Sequence, residues 1–139
     1  MNDQLNNLPL YQKALEILRL TEALVTTIPE DDMFLEATKG FMMENAFIIP
    51  AKIAGAEGVG LYDLKMENAT IIRKAARELY VQAGSLKHFS EEQHDYPNLL
   101  RFAIDEFKAL FVQWVKGFDV WEYIVDDWGL FNPPGVEPE

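Results

Sequence analysis

The spacing of apolar residues between positions 69 and 86 (ATIIRKAARELYVQAGSL) constrains the fold more than any other feature of the sequence. Apolar residues recur there at alternating intervals of three and four, which places them along one face of a helix. Half of them are alanine, so the backbone can approach a neighbouring helix closely, and Gly84 in the same stretch indicates the same close contact. The spacing predicts the inner helix of an antiparallel bundle. The residues of this seam are Ala69, Ile72, Ala76, Leu79, Ala83 and Leu86.

Three further segments repeat this spacing, and each begins at a recognisable boundary. Pro9 suits the first turn of a helix because its missing N–H would be unpaired there in any case. The acidic residues 30–32 supply an N-cap for the next helix, and Pro97 opens the last one. In that last segment the spacing continues through Trp121, so we expect this helix to be longer than its neighbours. The predicted helices cover about residues 9–27, 32–54, 63–88 and 97–125.

Short connections between four such helices favour neighbours that run in opposite directions. We therefore predict an all-α fold: an antiparallel up-down-up-down four-helix bundle with an extended last helix and an irregular C-terminal tail. One domain is expected to cover residues 1–131. Residues 132–139 are expected to be disordered, because chain ends that nothing ties down are poorly ordered. The large apolar side chains just before them are expected to fold back on the bundle: Trp128, Leu130 and Phe131.

The second predicted helix carries more apolar surface than one neighbouring helix can cover. Beside its main apolar stripe lies a second stripe formed by Phe34, Phe41 and Ile48. Either this helix is central in the bundle, or one of its faces meets another subunit. The second stripe is therefore a candidate interface with another copy or with a partner.

Composition and charge exclude several classes of protein. The 139 residues include 12 basic and 23 acidic side chains, a formal net charge of −11, and no cysteine. The electrostatic field of a protein with this negative charge repels the phosphates of nucleic acids. Hydrophobic residues make up 49% of the chain, which is not the composition of a disordered protein. No apolar run approaches the roughly 20 residues of a membrane helix, and no export signal is recognised, so we expect a cytoplasmic protein.

No arrangement of residues predicts catalysis, and we expect a protein that is not an enzyme and binds no cofactor. Glu91 and His94 match the Glu-x-x-His spacing of di-iron bundles, but those sites need two such pairs and further glutamates. The only other histidine is His88, so we predict no metal site. Glu44 and Asn45 interrupt the apolar part of the second helix, a pattern typical of a surface position or a hydrogen bond satisfied in the core.

Two further groups of residues are candidates for binding. The acidic and aromatic segment 119–131 has the composition of a docking segment, with Trp121, Trp128 and Phe131 as anchors, although docking on its own bundle is the favoured alternative. A basic patch on the third and fourth helices is a candidate nucleic-acid site. Pairing of its residues with nearby acids such as Glu78, Asp105 and Glu106 is the favoured interpretation. The basic residues are Arg73, Lys74, Arg77, Lys87, Arg101 and Lys108.

The order of several short motifs resembles a known family. The motifs are Ile49-Pro50, Ile53-Ala54, Glu57-Gly58 with Gly60, Arg77, Leu79-Tyr80 and Gly84-Ser85-Leu86. In this order, and followed by an amphipathic helix, they resemble the small four-helix-bundle proteins encoded in ribosomal RNA intervening sequences. Relatives of that family include the accessory variability determinant of diversity-generating retroelements. The resemblance covers roughly residues 10–118.

The resemblance implies a homo-oligomer, specifically a ring-shaped pentamer. For the retroelement relative it also implies binding to nucleic acid and to a reverse transcriptase, which a net charge of −11 disfavours in this chain. Our leading hypothesis is a non-enzymatic four-helix bundle that self-associates and serves as an adaptor for an unidentified protein partner, away from membranes. The alternative is a nucleic-acid-binding accessory protein.

Overall fold

The structure is a computed structural model that describes residues 2–30, 32–86 and 95–139. Over these residues the chain forms helices joined by turns, and no strand, which confirms the predicted all-α class. None of the helices in these ranges combines the length and the apolar composition that crossing a bilayer requires. The helices are α1 (Asn2–Asn6), α2 (Pro9–Thr26), α3 (Met33–Glu57), α4 (Tyr62–Ser85) and α5 (Tyr96–Lys116).

The apolar seams of the four long helices form one core. Every seam residue predicted for α4 is buried, and α2 buries a series of residues spaced alternately by four and three: Leu10, Ala14, Ile17, Thr21 and Leu24. Helix α2 packs against α3 and α5, and α4 packs against the same two helices, so the four helices surround a shared interior. The largest side chains wholly enclosed there include Phe107, Met42, Ile49, Ile53, Ile72, Leu79 and Leu100.

Two contacts, one near the turn between α3 and α4 and one farther from it, show that these two helices run antiparallel. Near the turn that joins them, Lys65 Nζ donates to the carbonyl oxygen of Ala56 at 2.8 Å. Near the end of α4, the amide of Asn45, at the middle of α3, donates to Gln82 Oε1 at 3.2 Å. Asn45 is therefore a buried polar side chain with its hydrogen bond satisfied, as its position in an apolar segment predicted.

Helices α4 and α5 are likewise antiparallel. Arg101, near the start of α5, contacts Tyr80, near the end of α4, and its Nε donates to the Tyr80 carbonyl oxygen at 3.1 Å. At the opposite end, Lys65 Nζ lies 5.5 Å from the centroid of the Phe118 ring. Gly84 permits the close approach at the first of these ends, because a Cβ atom there would lie 3.0 Å from Arg101 Cζ.

The helix starts follow the predicted chemistry. Pro9 is the first residue of α2, where it removes no helical hydrogen bond. Asp32 caps α3: its Oδ1 accepts from the backbone N–H of Phe34 at 2.8 Å and of Leu35 at 3.3 Å. These bonds satisfy two of the amides that a helix start otherwise leaves unpaired.

The extended last helix was a wrong prediction. Helix α5 ends at Lys116, with Gly117 as its C-cap, rather than near residue 125. The Asp119 side chain then accepts from the backbone N–H of Trp121 at 3.0 Å, a local turn that competes with helix. The carbonyl oxygen of Glu122 accepts from the Tyr62 N–H at 2.8 Å, so the tail pairs an amide at the start of α4.

Other boundaries also differ from the sequence prediction. The short helix α1 lies before residue 9, where the sequence predicted no helix. Helix α4 ends at Ser85, and the predicted end at His88 lies outside the described residues. The tail was predicted to be disordered from residue 132, whereas Pro133 is buried and its carbonyl oxygen accepts from the Val136 N–H at 3.1 Å.

Candidate interaction surfaces

The side of α3 that faces away from the bundle is apolar and exposed. Seven residues spaced by three or four define this outer face, and Glu44 is the only charged side chain among them. Met33 is 89% exposed and Phe47 is 55% exposed. Between them, Gly40 has no atom within 4 Å of the position that a Cβ would occupy. The outer face of α3 consists of Met33, Ala37, Gly40, Glu44, Phe47, Ala51 and Gly55.

The predicted interface stripe on the same helix lies beside this outer face. Phe34 and Phe41 are exposed, with 60% of the Phe41 surface accessible, whereas Ile48 is half-buried. The opposite side of α3 is buried in the core. Helix α3 thus carries apolar side chains well beyond the side that α2 and α4 cover, which is typical of a helix that contacts more protein than its own bundle supplies.

The aromatic residues of the tail are more exposed than predicted. Trp128 is 91% exposed and Leu130 is also exposed, so the expectation that they fold back on the bundle was wrong. Phe131 is half-buried. Trp121 is exposed and makes an edge contact with Tyr123 at 6.2 Å between ring centroids. Of the three predicted anchors, Trp121 and Trp128 are therefore available to another molecule.

One carboxylate organises the loop that carries Trp128. Asp126 Oδ2 accepts from the N–H groups of Leu130 and Phe131, each at 2.9 Å, and Oδ1 accepts from the Trp128 N–H at 3.0 Å. The amide of Asn132 donates to the Asp126 carbonyl oxygen at 3.0 Å and closes the loop. The Phe131 N–H, followed by those of Leu130 and Trp128, lowers the pKa of Asp126 below its ordinary value because it stabilises the ionised form.

A groove of about 550 Å³ lies between α4 and α5. Its floor is apolar and includes Tyr80, Ile104 and Phe111, with Phe107 beneath them. The side chains at its edges are mostly basic: Arg73, Arg77 and Lys108, with Asp105 as the carboxylate among the lining residues. We call this feature the α4–α5 groove.

The structure brings together only some of the predicted basic residues. Within the described ranges none of Arg73, Arg77 and Lys108 forms an ion pair, and all three are exposed. Lys74 pairs with Glu78 at 3.2 Å, as the alternative interpretation expected. The side chain of Arg101 already has a partner within the chain, because its guanidinium stacks 4.0 Å from the Tyr80 ring centroid.

One predicted acidic partner and several other predicted positions have different outcomes. Glu106 pairs with Lys13 of α2 at 3.0 Å instead of with a residue of the patch. The pKa of Lys13 is raised by its hydrogen bond to Glu16 and, to a lesser extent, by Glu106. No group of three or more metal-ligating side chains occurs in the part of the chain that the structure describes. The remaining candidates lie outside that part: Lys87, His88, Glu91 and His94.

Sequence reasoning missed the outer face of α3 as a surface. Its alanines and glycines are too small to be recognised as an apolar stripe, although the wide distribution of apolar residues around this helix was a signal that could have found it. Comparison with protein-family models and with curated proteins finds no match to this chain. The function is therefore argued from the surfaces themselves.

Proposed function

We propose that this chain is a non-enzymatic helical bundle that self-associates through the outer face of α3 and serves as an adaptor for another protein. One observation carries the proposal: an exposed helix face, from Met33 to Gly55, that holds a single charged side chain. At 1.5 Å per residue this face is about 33 Å long. Extended apolar surfaces of this kind mark protein–protein contacts, since water solvates them poorly.

The composition of the face suits packing against another helix. Ala37, Gly40 and Ala51 are small, so a second helix can approach the backbone closely there. Phe47 supplies the bulk that fills the space between helices, and aromatic side chains, Phe among them, are enriched in the buried centres of such contacts. The net charge of −11 opposes association at long range. Because salt screens this repulsion, we expect added salt to strengthen a contact made through this face.

A closed ring is the assembly that we favour, and a pentamer is the number that the family resemblance implies. A contact between two different surfaces of neighbouring copies closes into a ring when the rotation between copies permits it. In such a ring the exposed side of Phe34 and Phe41 extends the contact surface beyond the outer face itself. Surfaces left outside the contact remain free for the protein partner.

Sedimentation equilibrium at micromolar concentration tests the proposal. We expect the native chain to have a mass that is a multiple of 15.9 kDa. Phe47→Ser should reduce the mass to that of one chain, because it places a hydroxyl in the apolar contact. Phe102→Ser is the matched control, since Phe102 is 64% exposed on α5, away from α3, and its replacement should leave the mass unchanged. A native chain that stays at 15.9 kDa up to tens of micromolar contradicts the proposal.

Nucleic-acid binding is a second candidate function, favoured by the convergence of Arg73, Arg77 and Lys108 on one groove without an ion pair. Binding of labelled RNA or DNA at low salt, followed by fluorescence anisotropy, tests it. Affinity should fall steeply with salt, because each neutralised phosphate releases counterions, and should fall again in the double variant Arg73→Ala with Arg77→Ala. No binding at low salt excludes this candidate.

A further inference from the structure

The α4–α5 groove combines two properties that select its occupant. The apolar floor, which includes Tyr80 and Ile104, favours a ligand with large apolar side chains. The exposed cations Arg73, Arg77 and Lys108 favour one that is acidic. The phosphate backbone of a nucleic-acid duplex satisfies the second requirement but leaves the floor uncovered, because the bases are stacked inside the duplex. An acidic polypeptide segment with aromatic anchors satisfies both.

The tail of this same chain has that composition. No basic residue follows Lys116, and the segment 119–131, which we call the acidic arm, contains four carboxylates. Its exposed apolar side chains are Trp121, Ile124, Trp128 and Leu130.

The arm is held in a shape that presents these anchors away from its own bundle. Its first part is fixed at the start of α4 by the bond from the Tyr62 N–H to the Glu122 carbonyl oxygen. Its second part is closed by Asp126, whose carboxylate accepts from the N–H groups of Trp128, Leu130 and Phe131. A loop that is ordered before binding loses less conformational entropy when it docks. Trp128 is nevertheless 91% exposed, so its own chain does not provide the pocket that it fits.

We propose that the acidic arm of one copy docks in the α4–α5 groove of a neighbouring copy. Trp128 and Leu130 then cover the apolar floor, and Asp127, whose carboxylate is not used by the loop, faces Arg77 and Lys108. This inference rests on the proposed self-association and adds a second contact to it. The contact joins two different surfaces, so it is of the head-to-tail kind that generates rings.

Charge reversal in the full-length chain tests the contact, with self-association measured by sedimentation velocity over a range of concentrations. Arg77→Glu and Asp127→Lys should each weaken the assembly, and the two together should restore it, because the reversed charges again face each other across the contact. Lys74→Glu is the control for Arg77→Glu: Lys74 lies one turn away on α4 and is paired with Glu78 instead of lining the groove. This control should leave the assembly unchanged.

Removal of the anchor gives an independent test. Trp128→Ala should raise the dissociation constant of the assembly about tenfold or more, as loss of a central aromatic anchor does. The stability of the isolated chain should not change, since the Trp128 side chain is almost fully exposed. Added salt should weaken this contact, because it joins opposite charges, whereas it should strengthen the contact made by α3.

The possible results separate this inference from the proposed function. An assembly that Phe47→Ser disrupts, but that Arg77→Glu, Asp127→Lys and Trp128→Ala leave intact, overturns the docking proposal and leaves self-association through α3 standing. Burial of Trp128 that does not depend on concentration overturns it in favour of docking within one chain. Loss of RNA binding in Arg77→Glu with an unchanged assembly overturns it in favour of a nucleic-acid site.

Discussion

The contact between Gly84 and Arg101 offers a quantitative test of how α4 and α5 pack. A Cβ atom at position 84 would lie 3.0 Å from Arg101 Cζ and 3.2 Å from each terminal nitrogen of that side chain. The guanidinium is held in place, because it stacks 4.0 Å from the Tyr80 ring centroid and its Nε donates to the Tyr80 carbonyl oxygen at 3.1 Å. An added methyl group therefore forces the guanidinium to move and weakens one of these two contacts.

Two opposing effects set the size of the change in Gly84→Ala. Replacing glycine with alanine inside a helix stabilises it by about 0.5–1 kcal/mol. Against this, a hydrogen bond from a charged donor contributes about 1.5–3 kcal/mol and a cation–π contact about 0.5–2 kcal/mol, and the displacement removes part of them. We expect the free energy of unfolding to stay unchanged or to fall by up to about 1 kcal/mol. In an Arg101→Ala background the same substitution should raise it by about 1 kcal/mol.

Urea denaturation followed by circular dichroism measures this double-mutant cycle. The measurements should be made at low protein concentration, because association would add its own concentration-dependent stability. Gly40→Ala is the reference for helix propensity alone, since nothing lies within 4 Å of its added Cβ. A gain from Gly84→Ala that is equal in the native and Arg101→Ala backgrounds would refute the packing described here.

Three further predictions concern the exposed face of α3, the start of α3 and the loop that Asp126 closes. Gly40→Ala should raise the free energy of unfolding of the dilute chain by about 0.5–1 kcal/mol, measured by urea denaturation. The same substitution should weaken the assembly, measured by sedimentation. A loss of stability in the dilute chain contradicts the first expectation. Asp32→Ala should lower the free energy of unfolding by about 1 kcal/mol in urea denaturation, while Asp32→Ser retains most of the cap; equal losses would count against it. The carboxylate of Asp126 should hold its loop at neutral pH and release it as the pH falls through a pKa below 3.8, because its folded-state pKa is lowered. The amide shifts of Leu130 and Phe131 report this change by NMR, and a midpoint at or above 3.8 contradicts it.

The helical core was predictable from the sequence because the spacing of apolar residues is a local signal. The seam from Ala69 to Leu86 is buried throughout, and the acidic cap at Asp32 lies where the sequence placed it. Gly84 was also interpreted correctly as a point of close contact with a neighbouring helix. The seam and the cap depend only on residues that are near one another in the chain, whereas the sequence indicated the close approach at Gly84 but not its partner, Arg101.

The end of α5 could not be predicted from spacing alone. Phe118 and Trp121 continue the apolar pattern, so the pattern extends past the point where the helix ends. The structure ends the helix at Lys116 because Gly117 caps it and Asp119 forms a local turn. The bond between the Tyr62 N–H and the Glu122 carbonyl oxygen adds a tertiary contact that no local pattern reports.

The candidate sites were harder to predict than the helices, because which residues form a site depends on the tertiary structure. The sequence placed Arg101 in the same basic patch as Arg77, but the stacking of Arg101 on Tyr80 separates their roles. Conversely, Lys108 of α5 joins Arg77 of α4 only because the two helices are neighbours. The exposure of Trp128 is another tertiary property, since composition alone favoured docking on its own bundle.

The central claim is that another polypeptide covers the outer face of α3, and the absence of cysteine from the chain allows a direct measurement. A single thiol introduced as Ala51→Cys reports on that face, and Ala109→Cys reports on an exposed position of α5. At concentrations where the chain is assembled, we predict that the thiol at position 51 reacts with a labelling reagent much more slowly than the thiol at position 109, and that dilution abolishes the difference. Equal labelling rates at every concentration would contradict the account.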